Sequence, residues 1–311
     1  MKEFERVILK NELLQVEIIP ELGAKIASLK MLPSGVEMLQ QPLLPYAERT
    51  RTMAFDEGDA SGFDECLPTV SGCKFDTGKG RVQVPDHGDF WRIPWTSKQT
   101  GHEVEMQATG FSLPLEFTKT LRLEGNELTM HYTIRNVGEA TTEFSWSAHP
   151  LFTAEAGDRV VLPASVTFVQ VEGSGGNRLG AAGKRYDWPV AKLESGTSID
   201  LSECGAIESG VGDKLYTRAP QEGWCALDRV KLKTRVEMRF NPQESPFLGL
   251  WLCYGGWPEG RPNRQQCVAL EPCMAPMDSL AVASAKGYTR KLEAQQKYAW
   301  SISIRIQPTG V

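Results

Sequence analysis

A chain of 311 residues with 41% hydrophobic and 23% charged side chains has the composition of an ordinary folded protein, neither disordered nor membrane-like. Its 39 acidic and 34 basic residues leave a net charge of −5, and no basic stripe of the kind that binds nucleic acid is present. The longest apolar run, Phe247 to Trp257, contains Gly and Pro and falls far short of the ~20 residues a membrane helix needs, so neither nucleic acid nor membrane is an expected partner.

The charged start, Met1-Lys2-Glu3-Phe4-Glu5-Arg6, lacks the apolar stretch of an export signal. The seven cysteines are odd in number and widely spaced, with no CxxC pair and no Cys/His cluster of zinc spacing. They read as reduced, mostly buried thiols. A cytoplasmic protein without metal is the expectation.

The period-two signal dominates from the first residues onward. Leu14, Val16 and Ile18 alternate with polar side chains up to Pro20-Glu21-Leu22-Gly23, and Ile26 and Leu29 resume a strand. Asp64 and Glu65 follow in a loop framed by Gly62 and Pro68. They are able to accept hydrogen bonds from hydroxyls, although such a pair more often closes an Asx turn. The segment Pro85-Asp86-His87-Gly88-Asp89-Phe90-Trp91-Arg92 then sets the donors His87 and Arg92 beside indole faces. That mix suits a sugar site, against the plainer reading of an Arg stacked on Trp in a surface loop. His102 and His131 read as solvated.

Leu121 and Leu123, the turn Glu124-Gly125-Asn126, and Leu128, Met130, Tyr132 and Ile134 describe a hairpin with one face inward. His149 closes the aromatic strand Phe144-Ser145-Trp146-Ser147-Ala148-His149 and is stopped by Pro150. An imidazole there can move a proton near neutral pH, while a satisfied strand-end histidine is the plainer alternative. Gly173 to Gly183 reads as a loop and fails the spacing of a phosphate-binding loop. From Val230 to Phe240 the alternation of apolar and charged residues predicts one half-exposed strand.

Trp251 lies in an apolar strand, where a core position competes with a role as stacking platform. Glu271 directly follows the apolar run Val268-Ala269-Leu270, a setting that is costly for a carboxylate unless it is paired or used. Ser279 to Lys297 is a poor helix, interrupted by Gly287 and Thr289. Tyr298, Trp300, Ile302, Ile304 and Ile306 close the chain with a last alternating strand. Strands without intervening long helices predict an all-β fold, a large antiparallel β-sandwich with few short helices, spanning residues 1–311 as a single domain.

Four segments in order resemble the galactose mutarotase-like (aldose 1-epimerase) superfamily: Pro20-Glu21-Leu22-Gly23-Ala24, His87-Gly88 through Arg92 with Trp95, Ser147-Ala148-His149-Pro150-Leu151-Phe152, and Leu270-Glu271-Pro272. The resemblance implies a supersandwich with a sugar site on its concave face, working without metal or nucleotide. It implies His149 as general acid and Glu271 as general base for interconverting the anomers of a free sugar, with His87 and Arg92 orienting the substrate. Asp64, Asp228 and Trp251 are the further expected sugar contacts. The bulky, acidic loop His87-Gly88-Asp89-Phe90-Trp91-Arg92 departs from the glycine-rich or small-residue versions and is expected to reshape the pocket. Two alternatives stand beside this reading. A hexose-6-phosphate mutarotase would need several cations around the site, and a carbohydrate-binding or sensing protein would bind without turnover.

Overall fold

The computed structural model describes residues 3–309. The alternating strands pair into two large antiparallel sheets, one of 11 strands and one of eight. In the larger sheet six neighbours run in the order Lys25–Met31, Phe63–Cys66, Ser147–Thr153, Gln266–Cys273, Phe247–Tyr254 and Val211–Arg218. In the smaller sheet the predicted hairpin is Leu115–Glu124 with Glu127–Asn136, and Lys297–Pro308 lies beside its second strand. Gly125 supplies the positive φ of +54° that the tight turn requires.

The two sheets share one hydrophobic core. From the smaller sheet come Leu121, Leu123, Met130, Ile134, Trp300 and Ile302; from the larger come Ala148, Leu250, Leu252, Val268 and Leu270. Each such side chain contributes roughly 1.5–3 kcal/mol on burial. Because successive strand residues point to opposite faces, these inward positions force His149, Gly249, Trp251, Ala269 and Glu271 onto the face turned away from the smaller sheet. There Leu151, Cys253, Cys267 and Ala269 form a separate apolar patch, with Trp251 and Trp257 packed on it.

Three predicted segments change shape. The single strand expected over Val230–Phe240 starts only at Thr234, because residues 230–233 make the turn of a hairpin with Trp224–Arg229 and Lys233 takes a φ of +51°. Ser279–Lys297 contains one short helix, Leu280–Ala285, capped by the Ser279 side chain, and then the strand Arg290–Leu292. Gly173–Gly183 begins inside the strand Phe168–Ser174 and continues through a 3-10 turn at Gly175–Asn177. Among the described residues no helix is long and apolar enough to cross a membrane.

Candidate active site

Register places the candidate residues. Ser147 pairs with Cys273 and Leu151 with Ala269, which sets His149 opposite Glu271 on the adjacent strand. His149 also pairs with Asp64 on its other side, and Ile26 pairs with Phe63, so Lys25 stands beside Asp64. Glu271 pairs with Gly249, and Gly249 with Tyr216. One row of positions therefore crosses the sheet: Lys25, Asp64, His149, Glu271, Gly249, Tyr216. Directly opposed positions bring Cβ atoms to about 4.5–5.5 Å, close enough for two side chains to act on one small molecule.

Glycine at 249 is required by this row. A Cβ there would lie 2.9 Å from Glu271 Oε2 and 3.1 Å from Tyr216 Cε1. The space it leaves is filled by the Glu271 carboxylate, which accepts hydrogen bonds from the Lys214 ammonium and, at 3.2 Å, from Ser147 Oγ, both on Oε2. Its other oxygen, Oε1, is buried and unpartnered, as is His149 Nδ1. Tyr216 donates its hydroxyl to Asp278 Oδ1 at 2.7 Å.

A cleft of about 270 Å³ opens over the middle of this row, just below the ~300–1,000 Å³ that holds drug-sized ligands. His149, Glu271 and Lys214 line its floor, and His87, Trp251 and Asp278 stand around it. His87 enters on the 85–92 turn with a φ of +56°, followed by Gly88, where a Cβ would collide with Leu67 O at 1.9 Å. The His87 ring stacks on Phe55 (4.1 Å, 5°) and meets the His149 ring edge to face at 5.1 Å. Its Nδ1 is 2.7 Å from Asp86 Oδ2. Trp251 donates Nε1 to Gln265 Oε1 at 2.9 Å, which fixes the plane of the indole.

Burial sets the proton affinities of the floor. It lowers His149 well below its usual 6.5, and the nearby His87, Lys214 and Lys25 charges push the same way. Burial raises the Glu271 carboxyl from 4.5, while Lys214 pulls it back. For Lys214 itself burial works against the ammonium, but Glu271 and Asp278 outweigh it and hold the amine protonated well into the alkaline range. Burial thus draws the imidazole down and the carboxyl up from their ordinary values.

Three expected sugar contacts lie elsewhere. Asp64, despite its place in the row, is ion-paired with Lys25 and Arg49 and does not reach the cleft. Arg92 is turned into the protein: Nη1 donates to Asp86 O (2.8 Å) and Gly88 O (2.9 Å), Nη2 and Nε donate to Met53 O, and the guanidinium covers the Trp91 ring at 4.6 Å. It ties the 85–92 turn together instead of facing a ligand. Asp228 is in the smaller sheet, paired with Arg235 at 2.7 and 2.9 Å. The expected intrusion of Asp89 and Trp91 is also corrected. Both are buried, and Asp89 Oδ2 accepts from Phe111 N, Ser112 N and Ser112 Oγ to anchor the turn from behind.

The cleft also uses residues that the sequence pattern did not mark. Phe55, Asp56, Trp257 and Gln265 arrive from irregular connections, where no period points to a face. Lys214 carried a usable signal, a cation between the apolar positions of the strand Val211–Arg218, as did Asp278, a few residues beyond Glu271.

No family model matches the chain, and no curated protein matches it by sequence. Solved structures do match it along nearly its whole length. The Slr1438 protein from Synechocystis sp. PCC 6803 superposes with a TM-score of 0.73 at 16% identity, covering 99% of this chain and 97% of that one. A galactose mutarotase related enzyme from Lactobacillus acidophilus gives 0.71 at 17% identity, with 98% of each chain covered. A galactose mutarotase-like protein from Lactobacillus casei gives 0.70 at 16% identity, over 97% of this chain and 100% of that one. The chain shares the fold of these galactose mutarotase-like structures, the fold that the four motifs led us to expect.

Proposed function

We propose that the protein is an aldose 1-epimerase-like isomerase that interconverts the α and β anomers of a free, unphosphorylated sugar. The observation that carries this reading is the pair His149 and Glu271, opposed on neighbouring strands beneath an open cleft, each with a buried polar atom lacking a partner. Glu271 takes the proton of the anomeric hydroxyl while His149 delivers one to the ring oxygen; the C1–O5 bond breaks and an open-chain aldehyde forms. After rotation about C1–C2 the ring closes on the other face and both protons return. Because the roles reverse on closure, the same pair serves both directions. Trp251, Trp257 and Phe55 offer apolar faces to the C–H side of a pyranose, and His87 and Asp278 offer polar atoms to its hydroxyls.

A phosphorylated substrate fits poorly. Asp56, Asp86, Glu271 and Asp278 surround the cleft, Lys214 is committed to Glu271, and Arg92 faces away. Polarimetry of freshly dissolved α-glucose and α-galactose tests the reading. His149→Asn and Glu271→Gln are each expected to lower the catalysed rate by about 10²–10⁴-fold with the fold intact by circular dichroism. Wild-type-like rates in both variants would overturn the assignment. Saturable sugar binding without acceleration by the wild type would favour the sensing alternative.

A further inference from the structure

The linear sequence contains no Cys/His cluster, yet the fold assembles one. Cys66 and Asp64 share a face of their strand, and the register Ser147 to Cys66 and His149 to Asp64 sets Cys66 diagonally beside His149. The 85–92 turn then brings His87 in from above. One ligand atom from each of Cys66, His87 and His149 lies within 4.8 Å of the other two. We propose that these three residues form a soft divalent-cation site, suited to zinc, whose occupation excludes the proton transfer at His149.

Several independent features fit. The residue set is two imidazoles and a thiol, which soft and borderline metals prefer to magnesium or calcium. A point equidistant from three atoms 4.8 Å apart lies about 2.8 Å from each, so an inward movement of about 0.7 Å per ligand reaches zinc–ligand bonds of about 2.0–2.3 Å. Cys66 is a free thiol, and His149 Nδ1 has no hydrogen-bond partner. On His87 the Asp86 carboxylate, 2.7 Å from Nδ1, holds the N–H on that nitrogen and leaves Nε2 as the free lone pair, the arrangement that orients metal-bound histidines. Two of the three ligands, His87 and His149, line the cleft, from which a fourth ligand can approach. The positive charge of Lys214 is met by Glu271, which limits its repulsion of a cation. Binding one metal ion releases the Cys66 thiol proton, and a nitrogen bonded to metal cannot carry a proton to a sugar.

The exclusion rests on the proposed mechanism; the binding site does not. Metal-free protein is titrated with zinc against a chromophoric chelator, and separately with cobalt(II) to detect the thiolate-to-cobalt charge-transfer absorption. The expected result is one ion per chain with the thiolate band present. Cys66→Ser should lose the band and bind zinc about 100-fold more weakly or worse, and Asp86→Asn, which leaves all three ligands in place, about 10–100-fold more weakly. No stoichiometric binding by the wild type, or an unchanged band in Cys66→Ser, would overturn the site. In polarimetry, zinc should suppress the wild-type rate and leave that of Cys66→Ser unchanged. Binding through Cys66 with an undiminished wild-type rate overturns the exclusion. A wild type that binds zinc but never accelerates mutarotation sinks the proposed activity alone.

Discussion

The two ends of the polar row on the larger sheet use similar side chains in opposite ways. At one end Lys25 sits between Asp59, at 3.0 Å, and Asp64, while Arg49 reaches Asp59 Oδ1 at 2.5 Å and Asp64 Oδ1 at 3.5 Å. Two cations meet two carboxylates in a sealed cluster. At the other end Glu271 has one ammonium on one oxygen, and a free second oxygen opposite a free imidazole nitrogen. The difference teaches that burial alone does not open a carboxylate to a ligand. Asp64 Oδ1 and Glu271 Oε1 both lack a hydrogen-bond partner; what separates them is that Arg49 stands 3.5 Å from the first, while a cleft opens beside Glu271.

Exchanging the perturbation between the two ends is the strongest way to break that comparison. Asp64→Ala leaves Lys25 and Arg49 short of a carboxylate and is expected to destabilise the fold by about 3–5 kcal/mol in urea unfolding. Glu271→Gln, which keeps an acceptor for Lys214, should cost far less stability while removing most of the turnover. Equal losses of stability at both sites would erase the distinction. Gly249→Ala should come next, at about 1–3 kcal/mol, since the new methyl displaces the Glu271 carboxylate; its readout is a lower kcat in polarimetry together with the shift in the urea midpoint. The smallest effect is the acid limb. Burial raises the Asp59 carboxyl, but Lys25 and Arg49 outweigh it and hold it far below its ordinary 3.8. A depressed folded-state value stabilises the fold above about pH 4 and is lost as the pH falls below it. The urea midpoint of the wild type should therefore drop between pH 5 and pH 2 more steeply than that of Asp59→Asn.

The sheets were legible because their residues alternate without ambiguity: Leu121 to Ile134 and Tyr298 to Ile306 fall in the predicted strands with the predicted faces inward. The Val230–Phe240 reading failed because a turn of polar and apolar residues happened to continue the alternation, and Val230 is in fact half exposed. In the cleft, His149, Glu271, His87 and Trp251 were named from the sequence and are brought together. Arg92 and Asp228 were misplaced because a charge beside an aromatic or at a strand end looks the same whether it braces the chain or faces a ligand. Backbone carbonyls as partners, which decide the case for Arg92, leave no trace in the sequence. The Cys66–His87–His149 cluster depends on register between strands distant along the chain, and period alone does not supply it.

Glu65 gives the Phe63–Cys66 strand a second anchor. It points into the sandwich, where its carboxylate accepts from Tyr132 OH at 2.9 Å, from Trp146 Nε1 at 2.8 Å and from Lys119 Nζ at 3.4 Å, and Lys119 also holds Ala24 O at 2.8 Å. The strand beside His149 is thereby bolted to the opposite sheet. Force applied from the mouth of the cleft is borne by the interior, so exchanging the outer connections for others should change what enters without loosening the floor on which it lands.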